Sequence, residues 1–254
     1  MRAGLALAAL LTLGVVPARA ETLVVGLSFN RMAINSTYAG ASVAVFGAIE
    51  RDGQSAARSG DYDVVVTIRG PRRSLTVREK DALGPVWLNR RQRKFGEVPV
   101  FLAVASSRPL DALADAATRR RLRLGLDAII GAPELTLASS EGEDPFRSAL
   151  LRLRKDEGLF IERPAGVRFL SSGVFQANLP LPAGAPVGSY EVEVALLAGG
   201  TPLATRAAGF DLVKTGFEQR MAAFARDWSP VYGLAAAALA LLSGWLASVI
   251  FRRD

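Results

Sequence analysis

The feature that most constrains this chain is an apolar run near its carboxyl end, from Val231 to Phe251, that contains no charged residue. At about 1.5 Å per helical residue, a run of roughly 20 residues matches the ~30 Å hydrocarbon core of a bilayer. Ser229 and Pro230 precede the run and suit a helix start, because serine caps free N–H groups and proline is favoured in the first turn. The sequence therefore predicts a transmembrane helix over residues 230–251.

The amino terminus carries a second apolar run that has the pattern of an export signal. A basic residue follows Met1, the apolar stretch extends from Leu5 to Val16, and Ala18-Arg19-Ala20 has the small-x-small pattern that signal peptidases cleave. We expect residues 1–20 to be removed, so that the mature protein starts at Glu21.

The two apolar segments together predict one orientation. Arg252 and Arg253 directly follow the carboxyl-terminal run, and positive residues at the end of a span stay on the cytoplasmic side. An exported amino terminus requires the same arrangement. We expect a bacterial inner-membrane protein with a single span, a periplasmic body and a cytoplasmic tail at 252–254.

The composition excludes several classes of active site. The chain has no cysteine and no histidine, so disulfides, Ser-His-Asp and Cys-His catalysis and the usual zinc and haem ligands are excluded. The acidic residues 141–144 lack the alternating-oxygen pattern of a calcium loop. Tyr190, Asp144 and Glu157 are the side chains that an unusual enzyme would have to use. We expect no enzyme activity, no cofactor and no metal.

Short apolar segments bounded by Gly, Asn, Ser and Pro predict a mainly β body. They occupy residues 21–108 and again 161–213, which favours one or two immunoglobulin-like β-sandwich regions. In the strand from Ser189 to Ala198, apolar side chains alternate with glutamates, so one face should be buried. Gly199-Gly200 then predicts a hairpin turn.

The residues between the two β regions have helical spacing, and we expect two short connecting helices there. One is predicted from Asp111 to Leu124, where Leu and Ala alternate with charged residues. The other is predicted to begin at Asp144-Pro145, with aspartate as the N-cap and proline in the first turn, and to end at Gly158.

A further helix is predicted just before the transmembrane run. Thr215 and Glu218 have the spacing of a capping box, and the residues after them place apolar side chains on one stripe. Together with a tyrosine at the start of the span, these residues are predicted to lie at the membrane interface. They are Phe217, Met221, Phe224, Trp228 and Tyr232.

Two basic clusters stand out in a body that is otherwise only mildly basic. One contains Arg90, Arg91, Arg93 and Lys94, and the other spans Arg119 to Arg123. Each cluster fits an anionic ligand, an anionic surface or an ordinary solvated face. Nucleic acid is not expected as a partner outside the cytoplasm. Because arginine donates two parallel hydrogen bonds to oxyanions, we name Arg90, Arg91, Arg93 and Lys94 as candidate ligands of a small anion.

The predicted span carries small residues at every fourth position. A second helix could approach closely along such a stripe, although an alanine-rich span produces one by composition as well. The residues of this candidate helix–helix interface are Ala236, Ala240, Gly244 and Ser248.

These predictions divide the chain into consecutive parts. They are a signal peptide (1–20), a first β-sandwich region (21–108), a helical connecting segment (109–160), a second β-sandwich region (161–213), a juxtamembrane amphipathic helix (214–229), a transmembrane helix (230–251) and a cytoplasmic tail (252–254).

Several segments, taken in order along the chain, resemble the alphaproteobacterial transmembrane protein family. They are Val45-Phe46-Gly47-Ala48-Ile49, Val98-Pro99-Val100-Phe101, Ser106-Ser107-Arg108-Pro109-Leu110, Pro186-Val187-Gly188-Ser189-Tyr190, Tyr232-Gly233-Leu234 and Gly244-Trp245. The resemblance covers nearly the whole chain. It implies envelope placement and one carboxyl-terminal span, and it transfers no catalytic residues. It also implies an association with permeases of the sulfite-exporter type.

Two functional hypotheses follow. The leading one is a non-enzymatic accessory or interaction protein anchored in the membrane, which contacts the lipid bilayer and assists a permease through its span. The alternative is a periplasmic domain that binds a small anion.

Overall fold

A computed structural model of the chain describes residues 21–35, 38–50, 61–130, 144–215 and 225–250, except the side chain of Leu83. The predicted signal peptide and the cytoplasmic tail lie outside these residues. So do Phe217, Met221 and Phe224, whereas Trp228 and Tyr232 are described.

The described part of the body consists mostly of β-strands, which confirms the predicted fold class. In chain order the strands are β1 (Thr22–Leu27), β2 (Arg31–Ile34), β3 (Gly40–Glu50), β4 (Tyr62–Arg69), β5 (Arg72–Leu83), β6 (Val86–Pro99), β7 (Leu102–Ser106), β8 (Phe160–Arg163), β9 (Val167–Ser171), β10 (Val174–Pro182), β11 (Gly188–Ala198) and β12 (Thr201–Lys214). The helices are α1 (Leu110–Leu113), α2 (Ala116–Arg121), α3 (Leu126–Ile130), α4 (Pro145–Asp156) and α5 (Ser229–Ile250).

Ten of these strands form two sheets that share one apolar core. The first sheet has the order β1-β3-β10-β9, and the second has the order β2-β12-β11-β4-β7-β8. Each sheet contains strands from both predicted β regions, because β3 pairs with β10 and β4 pairs with β11. Residues 21–108 and 161–213 therefore build a single sandwich together, and neither forms one by itself.

The strand order is that of an immunoglobulin-like sandwich. The first sheet corresponds to the order A-B-E-D, and β4, β11 and β12 correspond to C, F and G. At the start of β11, the hydroxyl of Tyr190 donates a hydrogen bond to the carbonyl of Pro186 at 2.6 Å, as in the tyrosine corner of such domains. The ring of Tyr190 stacks on Phe210 with 4.9 Å between the ring centroids. Burial raises the pKa of the Tyr190 hydroxyl.

Alternation along the strands places apolar side chains between the sheets. On β3 the residues Val43, Val45, Gly47 and Ile49 are buried while their neighbours are more exposed. Gly47 lies opposite Phe175 of β10, and a Cβ atom at position 47 would come within 2.1 Å of the phenyl ring. The ring thus fills the space that the absent side chain leaves.

The helical connecting segment differs in part from its prediction. α4 agrees, since Asp144 caps it, Pro145 opens it and Gly158 follows with φ of 69°. The single helix predicted from Asp111 to Leu124 is wrong, because this stretch and the residues after it form the three short helices α1, α2 and α3. The chain is extended at Ala114 and Asp115, where the Asp115 carboxylate accepts a hydrogen bond from the Thr118 N–H and starts a new helix.

The strands β5 and β6 form a separate hairpin that the sequence reading did not identify. They pair along their whole lengths and form a two-stranded sheet of their own. Near the base of the hairpin Val77, Phe95 and Val98 are buried, while the described side chains from Arg78 to Gln92 are all exposed. The hairpin is therefore anchored at one end and surrounded by solvent at the other.

Candidate functional site

The second basic cluster, at residues 119–123, lines an open cavity of about 630 Å³. The volume is within the range of small-molecule sites in proteins, roughly 300–1,000 Å³. Five arginines and two carboxylates contribute to the walls: Arg119, Arg120, Arg121, Arg123, Arg147, Asp127 and Glu162. The cavity is positively charged overall, which favours an anionic ligand.

A sharp turn between α2 and α3 brings these residues together. Arg123 and Gly125 both have positive φ, 53° and 93°, and a Cβ atom at Gly125 would lie 2.8 Å from Leu110. The turn allows the chain to fold back, with the Leu124 N–H donating to the Arg119 carbonyl at 2.9 Å. Arg147 on α4 and Glu162 on β8 complete the cavity from distant parts of the sequence.

Two of the arginines carry buried donors that have no acceptor among the described residues. The Nε atoms of Arg119 and Arg147 are both buried, and neither has a hydrogen-bond partner there. A buried N–H without an acceptor costs roughly 1–3 kcal/mol, so such groups usually have water, an ion or a ligand beside them. Both donors belong to arginines that line this cavity.

Glu162 modifies the charge of the cavity. The Glu162 residue is exposed, but neighbouring atoms partly desolvate its carboxyl group and raise its pKa, an effect that Lys155 and Arg119 oppose and Asp127 strengthens. Protonation of Glu162 would remove one negative charge from the wall. An anion should then bind more tightly as the pH falls towards the pKa of this group.

The four residues predicted as anion ligands lie elsewhere, along β6 of the hairpin. Arg90 pairs with Asp81 at 2.8 Å, Arg91 with Glu79 at 2.7 Å and Arg93 with Asp144 at 2.7 Å. The Glu79 carboxylate raises the pKa of Arg91. Lys94 is exposed. Each of the three arginines pairs with a different carboxylate, and binding of a shared anion by this cluster stays a prediction.

A buried carboxylate near the base of β4 was not singled out from the sequence. Asp63 is 2% exposed and lies beside an open cavity of about 460 Å³. It accepts hydrogen bonds from Arg108 Nε at 2.9 Å and from Ser107 Oγ at 3.0 Å. Asp63 raises the pKa of Arg108. This pairing gives the Ser107-Arg108 segment a structural role in holding β4 against the end of β7.

The three side chains considered for an enzyme all take part in structural contacts. The Tyr190 hydroxyl bonds to the Pro186 carbonyl, and the Asp144 carboxylate caps α4 and pairs with Arg93. Glu157 pairs with Arg154 at 2.6 Å. Within the described ranges no group of three or more Asp or Glu side chains is arranged to hold a metal ion.

Helix α5 is the one described helix that is long and apolar enough to cross a bilayer. Every one of its 22 residues is exposed. Of the predicted interface residues, Trp228 directly precedes the helix and Tyr232 lies in its first turn; they are 61% and 39% exposed. The candidate stripe at Ala236, Ala240, Gly244 and Ser248 is part of this surface, and its pairing with another helix stays a prediction.

The chain matches a known protein family. A family model described as "Putative transmembrane protein (Alph_Pro_TM)" matches residues 22–253, a range that includes the sandwich, the hairpin, the arginine-lined cavity and α5. No curated protein matches the chain.

Proposed function

The chain belongs to the Alph_Pro_TM family of transmembrane proteins, and on this basis we propose that it is a membrane-anchored accessory protein that assists another integral membrane protein without catalysing a reaction. This is the family that the sequence motifs indicated. The observation that carries the proposal is the uniformly exposed apolar helix α5, attached to an immunoglobulin-like sandwich. Lipid and a partner helix are the two surroundings that would cover such a helix.

The proposed placement is the bacterial inner membrane, with the sandwich in the periplasm and the carboxyl end in the cytoplasm. Its support is the signal pattern at residues 1–20 and the two arginines after the span. A reporter that is active only in the periplasm, fused after Asp254, should be inactive, and a cytoplasmic reporter fused there should be active. The opposite result would overturn the orientation.

The proposed partner is a permease of the sulfite-exporter type, in keeping with the resemblance noted from the sequence. The natural chain has no cysteine, so a single introduced cysteine is a unique cross-linking site. We would place it at Ala236, Ala240, Gly244 or Ser248. Leu242 and Leu246 are matched controls, because 100° per residue puts them on the opposite side of α5.

Cross-linking in native membranes should give one discrete product from the small-residue stripe and weak or no product from the control positions. Mass spectrometry of that product would identify the partner. Equal labelling from both sides of the helix would remove the proposed interface.

The second candidate function, binding of a small anion, is favoured by the cavity that contains Arg119 and Arg147. The buried donors of these arginines suit the oxygens of sulfite, sulfate, sulfonate or carboxylate groups. An anion-binding domain beside a permease would deliver or sense the transported ion. The two candidate functions are therefore compatible.

Thermal unfolding of the full chain in detergent tests this second function. Because a ligand that binds the folded state stabilises it by RT ln(1 + [L]/Kd), millimolar sulfite, sulfate or taurine should raise the melting temperature. The double variant Arg119→Gln/Arg147→Gln should lose this rise. The matched control Arg90→Gln/Arg91→Gln, on the hairpin, should keep it. An absent rise, or an equal rise in both variants, would count against the site.

A further inference from the structure

The tip of the β5–β6 hairpin is apolar and exposed. Val86, Trp87 and Leu88 are 53%, 69% and 48% exposed, and they are consecutive, so both faces of the strand present apolar groups. The tip turns at Gly84-Pro85, where Gly84 has φ of 64°. Three adjacent large apolar residues in water at the end of a projection indicate a contact surface.

Basic residues surround this tip. Arg78, Lys80, Arg90 and Arg91 lie within the exposed part of the hairpin, against the two carboxylates of Glu79 and Asp81. The outer half of the hairpin therefore has a net positive charge. An apolar tip with a cationic border matches a bilayer whose headgroups are anionic, since the tip enters the interface while the cations remain at headgroup level.

The anchor keeps the hairpin close to such a surface. Residues 215–228 connect the end of β12 to the start of α5, and a chain of this length spans at most roughly 50 Å even when fully extended. The 12 residues of β5 give the hairpin a length of about 40 Å. A tether of this length allows the body to turn the tip towards the bilayer once α5 is inserted.

Contacts at its base hold the hairpin against the rest of the body, and the tip projects from there. Val77 and Phe95 are buried, and the Arg93 side chain lies over the Phe95 ring at 5.7 Å. Arg93 also pairs with Asp144, the cap of α4. An isolated two-stranded hairpin is marginally stable in water, and these contacts at the base supply the missing support.

From these observations we propose that the tip at Val86-Trp87-Leu88 inserts into the interface of an anionic bilayer and forms a second membrane contact besides α5. The sandwich would then be attached to the membrane at two points, which fixes its orientation relative to the bilayer. This proposal does not depend on a permease partner, on anion binding or on which side of the membrane the body occupies.

The test uses the full chain in vesicles, with Trp87 as its sole tryptophan through Trp228→Phe and Trp245→Phe. In vesicles that contain phosphatidylglycerol, brominated acyl chains should quench the fluorescence of Trp87. Acrylamide, a quencher in the aqueous phase, should quench Trp87 less in these vesicles than in the protein unfolded in denaturant without detergent. The matched control is Leu170→Trp combined with Trp87→Phe in the same background. Leu170 lies on β9 and is 61% exposed. The fluorescence of the tryptophan introduced at this position should be quenched by acrylamide but not by the brominated lipid.

The charge contribution is measured in the same system. One cation near an anionic surface contributes about 1 kcal/mol, so Lys80→Gln should lower partitioning of the tip by roughly five-fold, and less in high salt. Equal acrylamide access at Trp87 and at the control tryptophan, with no quenching by brominated lipid, would overturn the proposal. So would protection of Trp87 in native membranes without quenching in the pure lipid vesicles, because the tip would then contact a protein.

Discussion

The sandwich and the outer half of the hairpin use apolar residues in opposite ways. In the sandwich, Val45, Val66 and Val194 are completely buried between two sheets whose apolar faces pack against each other. In the hairpin, Val86 and Trp87 are more than half exposed although they belong to an equally regular strand. The same residue types therefore stabilise the fold in one region and remain available for contact in the other.

This contrast has a physical basis in the number of neighbours that each strand has. β4 lies between β7 and β11 and is buried along nearly its whole length, so each apolar side chain there removes surface from water. β5 and β6 pair only with each other. Their outer residues bury much less apolar surface on folding, and the membrane contact proposed above accounts for their apolar character.

The largest expected effect is in the sandwich, at Gly47. A methyl group there would overlap the ring of Phe175, so Gly47→Ala should destabilise the protein by about 3 kcal/mol, the upper end of the usual cost of overpacking, or prevent folding. Gly26→Ala on β1 is the matched control, since nothing lies within 4 Å of the added Cβ atom. Urea unfolding monitored by circular dichroism measures both.

The double variant Gly47→Ala/Phe175→Leu should recover part of the loss, because the smaller side chain makes room for the methyl group. A Gly47→Ala protein as stable as Gly26→Ala would mean that β3 and β10 do not have the register described here.

The next effect lies where the two regions meet, at Asp144. Its carboxylate caps α4 and pairs with the largely buried Arg93 at the hairpin base. Asp144→Ala should cost about 1–2 kcal/mol, since loss of a cap alone typically costs about 1 kcal/mol. Asp144→Asn keeps the capping oxygen and should lose less. Midpoints of urea unfolding measure the difference.

The control for Asp144 is Asp81→Asn, which breaks the exposed pair with Arg90 in the outer half of the hairpin. Surface pairs contribute roughly 0–1 kcal/mol, so this variant should remain within about 0.5 kcal/mol of the parent. Equal losses at Asp81 and Asp144 would contradict the distinction between the base and the outer half.

Some of these features can be predicted from the sequence because they depend on local patterns. The exposed apolar helix, the Asp144-Pro145 start of α4 and the turn at Gly199-Gly200 are local, and all are present. The alternating faces of β11 are present from Ser189 to Val194, whereas residues 194–197 are all buried. In each case a few neighbouring residues determine the conformation.

Other features depend on residues far apart in the chain. The pairing of β3 with β10 joins Gly47 to Phe175, and no local period indicates which strand is the partner. The arginine-lined cavity likewise requires Arg119 and Arg147 to meet through the turn at Gly125. The basic run at 119–123 can be recognised in the sequence, but its proximity to Arg147 on α4 cannot. The sequence does not predict the hairpin, because its arginines have the pattern of a solvated loop. Gly84-Pro85 is the one local signal of a turn within it.

Glu162, on β8 beside the arginine-lined cavity, should make the stability of the protein depend on pH. Since its folded pKa is raised above the ordinary 4.5, the folded state binds the proton more readily, and stability falls as the pH rises through the interval between the two values. Glu162→Gln should therefore be more stable than the parent at neutral pH, and the advantage should vanish below pH 4.5. Urea midpoints across this range measure it. An advantage that grows at low pH would contradict the assignment.

The smallest effect on stability is expected at the hairpin tip. The same substitution at the tip and in the sandwich compares the two regions directly. Val86→Ser should change the free energy of unfolding by no more than about 0.5 kcal/mol, as is usual for exposed positions. The same substitution at Val66, which is 0% exposed, should cost several times as much. The triple variant Val86→Ser/Trp87→Ser/Leu88→Ser should fold normally, and its tip should no longer contact anionic vesicles, in which α5 still anchors the chain. If Val86→Ser proved as damaging as Val66→Ser, the tip would be packed against another part of the chain, and its apolar residues would need no membrane to explain them.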